Sequence, residues 1–312
     1  IQISNADGSG AQPISDGGSH TPANNEGPVF SPDGRFIAWT GIDPQTDERE
    51  VYLAEIDGSS RRVLSRKAGT VPIVGDPGRT APIHNAFIDW RADSERIVWH
   101  GQDPDGYSHI YQSSRISGTM QKLTDSSDGI KHAVHPQYSP TADDQLAFQR
   151  TPFGSDFSDV VVDGAILSTG QKNAYGPLAW SPDGTRLAWT ANNAVSGAAS
   201  EIYHARRDGT DRTIVNPAED LTQNSFPAWS PDGTQLAWAA RGGPHPAVSM
   251  RIWVADTDGR NTYLLAEEPD NARYPTWRPK PASCTSTTLS IGGAATAEPT
   301  THAVRCALGG CP

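Results

Sequence analysis

A set of polar and aromatic side chains stands just before six recurring aromatic residues, and it contains residue types that bind ligands. The recurring aromatics are Phe30, Trp90, Tyr138, Trp180, Trp229 and Trp277. The preceding set is Glu26, Asn85, Phe87, His132, His135, Tyr175, Asn224, Phe226, Arg273 and Tyr274. A repeated scaffold does not need such varied side chains for its stability. We therefore predict that they line a binding site.

Histidines in this region raise the alternative of metal chemistry. The fold could bring His84, His132 and His135 together on a transition metal, for which imidazole is a common ligand. Nucleophilic catalysis has less support, because the chain contains no Gly-x-Ser-x-Gly elbow. The pair Gly242-Gly243 is followed directly by Pro244, so no phosphate loop is formed. The residue types favour binding over catalysis.

A repeated hairpin positions these side chains. Three nearly identical segments, Phe30–Trp39, Trp180–Trp189 and Trp229–Trp238, each place Ser-Pro-Asp-Gly between an aromatic and an apolar stretch. Proline presets the φ angle of a tight turn, aspartate bonds to the nearby backbone, and glycine accepts positive φ. Degraded copies span Trp90–Trp99 and Tyr138–Phe148. Each copy is thus predicted to be a β-hairpin.

Each hairpin is followed by a third strand, a second turn such as Asp57-Gly58 or Asp208-Gly209, and a short fourth strand. The recurring aromatics are 42 to 60 residues apart, which suits a propeller blade. The chain opens with a third and a fourth strand within 1–15, and the last copy, from Tyr274, lacks both. We predict an all-β six-bladed β-propeller of four-stranded antiparallel blades, whose last blade is closed by the N-terminal strands.

The repeat resembles that of the TolB-like propeller family, a Pro-x-Trp-Ser-Pro-Asp-Gly hairpin followed by an apolar strand and an Asp-Gly turn. The resemblance covers about residues 1 to 280, so we assign 1–282 to the propeller and 283–312 to a tail. It implies a fold found in periplasmic interaction proteins, in non-catalytic domains of peptidases and in some polysaccharide lyases. Those lyases use histidine and glutamine to hold manganese, and Gln137 is the nearby glutamine here.

The tail contains all three cysteines, Cys284, Cys306 and Cys311. It resembles the edge of a calcium-binding RTX-type array, but it has no Asp and its one carboxylate side chain is Glu298, so the oxygen ligands of Ca²⁺ are missing. We expect a disulfide between Cys284 and Cys306, with Cys306–Cys311 as the alternative pair. No cofactor is expected, and calcium or a transition metal is the minor alternative.

Bulk composition limits the classes of partner. A net charge of −11 without a basic cluster disfavours nucleic acid. No apolar stretch is long enough to cross a bilayer, and cysteines confined to the tail suit an exported protein, extracellular or periplasmic. We therefore predict a non-catalytic exported module that binds a protein or peptide at the channel mouth. The alternative is a metal-assisted lyase that acts on carbohydrate through the rim histidines.

Overall fold

The computed structural model describes most of the chain up to residue 277 and a short segment beyond it. The described ranges are 1–4, 10–14, 22–44, 47–65, 84–103, 106–141, 143–168, 172–192, 200–215, 221–242, 250–265, 275–277 and 289–290. They fall within two compact units, Ile1–Tyr138 and Ser139–Thr296. Regular structure in them is β-strand apart from one 3-10 turn, η1 (Ser126–Asp128). The all-β prediction is confirmed.

In the first unit, two groups of four antiparallel strands follow one another, and each group is ordered along the sheet as along the chain. A single parallel residue pair, Arg49 with His84, joins the first group to the second, and Ser108 with His132 joins the second to β11. The strands are β1 (Gln2–Ile3), β2 (Gln12–Pro13), β3 (Ala23–Phe30), β4 (Phe36–Ile42), β5 (Arg49–Glu55), β6 (Arg62–Val63), β7 (His84–Trp90), β8 (Arg96–Gln102), β9 (Ser108–Ser114), β10 (Met120–Lys122) and β11 (Ile130–Tyr138).

The second unit repeats this plan, with two further groups of four antiparallel strands, β15–β18 and β19–β22. Before them, β12, β13 and β14 pair in succession, and after them β23 pairs with β24. The strands are β12 (Leu146–Pro152), β13 (Asp159–Val162), β14 (Ala165–Ile166), β15 (Lys172–Trp180), β16 (Arg186–Asn192), β17 (Ser200–Arg206), β18 (Thr213–Ile214), β19 (Leu221–Trp229), β20 (Gln235–Gly242), β21 (Arg251–Asp256), β22 (Tyr263–Leu264), β23 (Thr276–Trp277) and β24 (Leu289–Ser290).

The Ser-Pro-Asp-Gly segments form the predicted turns through a repeated set of side-chain bonds. In the turn between β3 and β4, the Ser31 hydroxyl donates to Asp33, and Asp33 Oδ1 also accepts from the backbone N–H of Arg35 at 3.0 Å. The hydroxyl oxygen of Ser31 accepts from the N–H of Phe36 at 3.0 Å. Gly34 has a φ of 68°, which disfavours other residues. The turns before β16 and β20 repeat these bonds.

Indole groups bind successive strand groups to each other. The Trp90 indole donates to the backbone oxygen of Val29 at 3.1 Å, so that the first strand of one group is bonded to the first strand of the preceding group. Trp229 and Trp277 make the same bond to the residue that precedes the previous aromatic, Ala179 and Ala228. A buried indole N–H needs an acceptor. Each of these bonds therefore fixes the position of one group of strands relative to the preceding group.

The N-terminal strands pack against the first group. Ile3 and Ile14 form a buried cluster with Ile37, Trp39 and Tyr52. The two strands therefore cover the apolar face of β4 and β5. The described strands show no closed sheet. The six-blade count, the closure through the terminal strands and the 282/283 boundary remain predictions, and Cys284 and Cys306 lie outside the described residues.

Candidate functional site

The predicted site residues lie where the first strand of each group breaks its register. Between Ala86 and Asp89, β7 has one residue more than its partner β8, and β3 and β19 break register at the same place. Three residues before four of the six recurring aromatics, the backbone has a positive φ: 60° at Gly27, 53° at Phe87, 54° at His135 and 58° at Phe226. Such bulges re-aim a side chain and are common near binding sites.

Phenylalanine and histidine at these positions strain the backbone. A positive φ costs glycine nothing, and Gly27 fills the position in β3. For a side chain as large as Phe87 it is an outlier that costs on the order of 1–3 kcal/mol. The bulge therefore needs no aromatic residue for its own stability. Strain that is retained where glycine suffices indicates a role for the side chain itself.

In the first unit, the strained residues meet in one aromatic cluster. The ring centroids of Phe87 and His135 are 4.2 Å apart with an edge-to-face angle of 85°. His100, which follows Trp99 on β8, stacks on Phe87 at 5.4 Å and contacts His135 at 5.7 Å. Phe87 keeps 47% of its surface exposed. We call Phe87, His100 and His135 the aromatic cluster.

Burial fixes the charge state of His100. His100 Nδ1 accepts a hydrogen bond from the backbone N–H of His135 at 3.3 Å, so its remaining proton is on Nε2. Burial, reinforced by the charge of His135, lowers the pKa of His100 to about 3. His100 is consequently neutral at physiological pH.

Two further predicted residues of the first unit, His132 and Glu26, have polar partners of their own. His132 on β11 packs edge-to-face on Tyr107 at 5.9 Å, and its Nδ1 accepts from the N–H of Ser108 at 3.2 Å. Burial lowers its pKa, and the charge of Lys131 adds to that effect. Glu26 on β3 is half exposed and forms an ion pair with Arg49 of β5.

Two of the predicted site residues are used inside the fold. Asn85 and Asn224 are fully buried, and their side-chain oxygens accept from the indoles of Trp99 and Trp238 at 2.7 and 2.8 Å. Their amide nitrogens donate to backbone oxygens of the preceding group, at 2.7 and 2.6 Å. Asn25 accepts from Trp39 in the same way. An Asn fourteen residues before a Trp is the sequence signal for this structural role.

The remaining predicted residues are placed only in part. Phe226 on β19 is half buried and packs against the cluster that contains Ala239 and Ile252. Tyr175 lies on β15, where its backbone pairs with Thr190, but its side chain is outside the described residues. Arg273 and Tyr274 are also outside them. Their participation in one site with the aromatic cluster stays a prediction.

Metal ligation by the histidines finds no support in the described part of the chain. No group of three His, Cys, Asp or Glu side chains in it is arranged to hold a metal ion. The side chain of His84 lies outside the described residues. The ring of His100 stacks on Phe87, and its Nδ1 already accepts a hydrogen bond from the backbone N–H of His135.

Among the described residues, no helix is both long and apolar enough to cross a membrane.

Beside the aromatic cluster, Asp89 gives the first unit a dependence on pH. Its Oδ2 accepts from the N–H of Tyr138 at 2.7 Å, which joins β7 to β11. Burial raises the pKa of this carboxyl to about 7, against the opposing effect of the bonds from Tyr138 and Trp90. The folded state therefore binds the proton more tightly than the unfolded chain does. The contribution of Asp89 to the stability of the fold is full below about pH 4 and is lost as the pH rises through about 7.

Replacing Asp89 by asparagine should remove this loss. We expect Asp89→Asn to gain about 4 kcal/mol over the wild type between pH 4 and pH 8, because the neutral amide keeps an acceptor for Tyr138 without a buried charge. Urea unfolding at four pH values measures the difference. Glu95→Gln, which removes a charge at an exposed position, is the control. A constant difference between Asp89→Asn and wild type across this range would contradict the assignment.

Comparison with protein-family models gives no match, and comparison with curated protein sequences gives none. Solved structures do match. TolB from Acinetobacter baumannii has a TM-score of 0.59 and 20% identity over 89% of this chain, which spans 62% of that chain. The β-propeller domain of the Trilobed protease from Pyrococcus furiosus has a TM-score of 0.55 and 12% identity over 89% of this chain and 84% of that chain. An oligogalacturonate lyase in complex with manganese has a TM-score of 0.57 and 13% identity over 82% of this chain and 67% of that chain. At these identities the likeness is one of fold, and the chain has the fold of a TolB-like β-propeller.

Proposed function

We propose that this TolB-like β-propeller is a non-catalytic, exported binding module that works in the periplasm or outside the cell. Its partner is a protein or peptide segment, which it binds through the aromatic cluster and, in this proposal, the Glu26–Arg49 pair of the same unit. Phe226, Tyr175, Arg273 and Tyr274 stay predicted binding residues from the sequence. The carrying observation is the positive φ of Phe87 and His135, at a position that Gly27 fills without strain.

Three properties of the aromatic cluster suit a peptide. Phe87 is large, aromatic and 47% exposed, as the central residues of binding surfaces tend to be. The stacked ring of His100 holds it in one orientation, so little side-chain entropy is lost on binding. The ion pair of Arg49 and Glu26 supplies a polar rim that can bond to a peptide backbone. An apolar or aromatic side chain on an extended segment is the expected contact.

The strain permits a clean test by substitution with glycine. Phe87→Gly keeps the backbone conformation, because glycine accepts positive φ, and relief of strain offsets lost packing to within about 1 kcal/mol. Binding of a peptide selected from a display library against the wild type should weaken at least about thirtyfold, as expected for a central contact. Fluorescence anisotropy with the labelled peptide measures the dissociation constant.

The matched control is Ile116→Gly, which removes another exposed apolar side chain of the first unit, 65% exposed in the turn between β9 and β10. It should leave peptide binding unchanged. His135→Gly should behave like Phe87→Gly. If peptides selected on the wild type bind both cluster variants with unchanged affinity, the aromatic cluster is not the binding surface.

A further inference from the structure

Several buried polar side chains lie in the layer between the groups β15–β18 and β19–β22 of the second unit. Ala188 and Ile202 on one side pack against Trp238 and Ala240 on the other in one buried cluster. Thr190 pairs with Ile202 across β16 and β17, so its side chain faces the same layer. The centre of the layer is apolar. Polar side chains lie at its edge, toward the C-terminal end of β20.

Two residues of β21 face the same layer from the other side. Arg251 pairs with Ala240, and Trp253 pairs with Trp238, so both share the face of the buried cluster. Ser200, two residues before Ile202, is held close to β19, because its backbone oxygen accepts from Asn224 at 2.6 Å. The register therefore directs the side chains of Thr190, Ser200, Arg251 and Trp253 into one layer.

Four buried polar atoms of these side chains have no hydrogen-bond partner within the described structure: Arg251 Nη1, Trp253 Nε1, Thr190 Oγ1 and Ser200 Oγ. Trp253 is 8% exposed, Ser200 4% and Thr190 0%. Buried polar groups are nearly always bonded, since each unmade bond costs about 1–3 kcal/mol. Four such atoms facing one layer indicate that a polar ligand belongs there.

The corresponding positions of the first unit show which group is missing. Tyr111 takes the place of Trp253 in the register, opposite Trp99, and its hydroxyl donates to Asp103. Tyr52, opposite Trp39, donates to Asp43. Each aspartate lies four residues after its tryptophan. Four residues after Trp238 comes a glycine, Gly242, so the carboxylate that accepts from the third strand has no counterpart in this group.

From this we propose that the layer binds a carboxylate group of a ligand at Arg251, Trp253, Thr190 and Ser200. Guanidinium and indole nitrogens only donate hydrogen bonds, so the ligand atoms that meet them must be acceptors. The guanidinium adds a positive charge and a planar pair of donors that match a carboxylate. The carboxylate belongs to a small free acid or to the C-terminus of a peptide, and the site is distinct from the aromatic cluster.

The test follows the indole N–H resonance of Trp253 in ¹⁵N-labelled full-length protein, identified with Trp253→Phe. Acetate and N-acetylglycine are titrated at constant ionic strength, with acetamide as the uncharged control. We expect a saturable shift with a dissociation constant on the order of 1 mM for the acids and no shift with acetamide. Tighter binding of N-acetylglycine identifies a peptide C-terminus, and tighter binding of acetate a free acid.

Two variants assign the shift to the site. Arg251→Gln should weaken acetate at least about tenfold, whereas Arg260→Gln, which removes an exposed cation on the following turn, should not. Thr190→Val removes a buried hydroxyl without changing the side-chain volume, so it should fold with an unchanged or higher Tm and bind acetate several-fold more weakly. An unmoved Trp253 resonance with both acids, or unchanged affinity in Arg251→Gln and Thr190→Val, would overturn the proposal.

Discussion

Replacing Lys122 by methionine is expected to lower the free energy of unfolding by about 3–5 kcal/mol. The Lys122 ammonium on β10 is 5% exposed and donates to Asp103 Oδ2 at 2.9 Å and to Asp125 Oδ2 at 2.7 Å. The Asp103 side chain is only 1% exposed. Methionine matches the length of the lysine stem but leaves the Asp103 carboxylate buried without its cation. Chemical unfolding at pH 7 measures the loss.

The loss should depend on pH with a defined sign. Burial alone raises the pKa of Asp103, but the hydrogen bonds from Tyr111 and Lys122 and the lysine charge outweigh it, so the pKa is lowered. The stabilisation from Asp103 is therefore present above its ordinary pKa and is lost as the pH falls through the folded value. The difference between wild type and Lys122→Met should shrink between pH 7 and pH 3.

Arg62→Met is the matched control for Lys122→Met, because Arg62 is an exposed cation on β6, the edge strand of the preceding group. We expect it to change stability by less than about 0.5 kcal/mol. An equal loss in the two variants would show that the effect comes from charge in general. A loss below about 1 kcal/mol for Lys122→Met would show that the ion pair is not buried as described.

A second large effect is expected at Asn224, which was predicted from sequence as a site residue and is fully buried. Asn224→Leu keeps the volume but removes the hydrogen bonds of the amide, leaving the Trp238 indole and the Ser200 oxygen without this partner. Because each buried group that loses its partner costs about 1–3 kcal/mol, we expect a loss of about 2–4 kcal/mol. Thermal and urea unfolding, with intrinsic tryptophan fluorescence as the signal, measure it.

The control for Asn224→Leu is Asn261→Gly, which removes an exposed amide that bonds to Asp256 in the turn after β21, at a φ of 52° that glycine also accepts. It should cost less than about 0.5 kcal/mol. If Asn224→Leu were equally mild while it abolished binding of a selected peptide, Asn224 would belong to the binding surface and its structural role would be wrong.

Local chemistry made the repeat readable from the sequence. Ser31, Asp33 and Gly34 form their turn with bonds that reach no further than five residues, so the tetrapeptide predicted the hairpin wherever it occurred. The second turn at Asp57 and Gly58 is equally local. The four-stranded antiparallel groups followed from two such turns for each copy.

The candidate site was predicted in position but only partly in composition. Counting back from the recurring aromatics located Phe87 and His135, which the structure brings into contact. The same count selected Asn85, whose side chain is turned inward to Trp99. It could not find His100, which reaches the cluster from the neighbouring strand. A strand's sequence gives the order of its side chains, whereas a bulge decides which face each one takes.

By itself the sequence determined the class of fold, the places of the turns and the spacing of the aromatics, because these depend on contacts among residues close along the chain. Only the tertiary structure decided which polar groups are paired. Lys122 meets Asp103 across the end of a sheet, and Arg251 and Trp253 share a layer with Thr190 although sixty residues of chain separate them. Such pairing depends on how groups of strands pack against each other. The spacing of residues along the chain does not show which distant side chains this packing brings together.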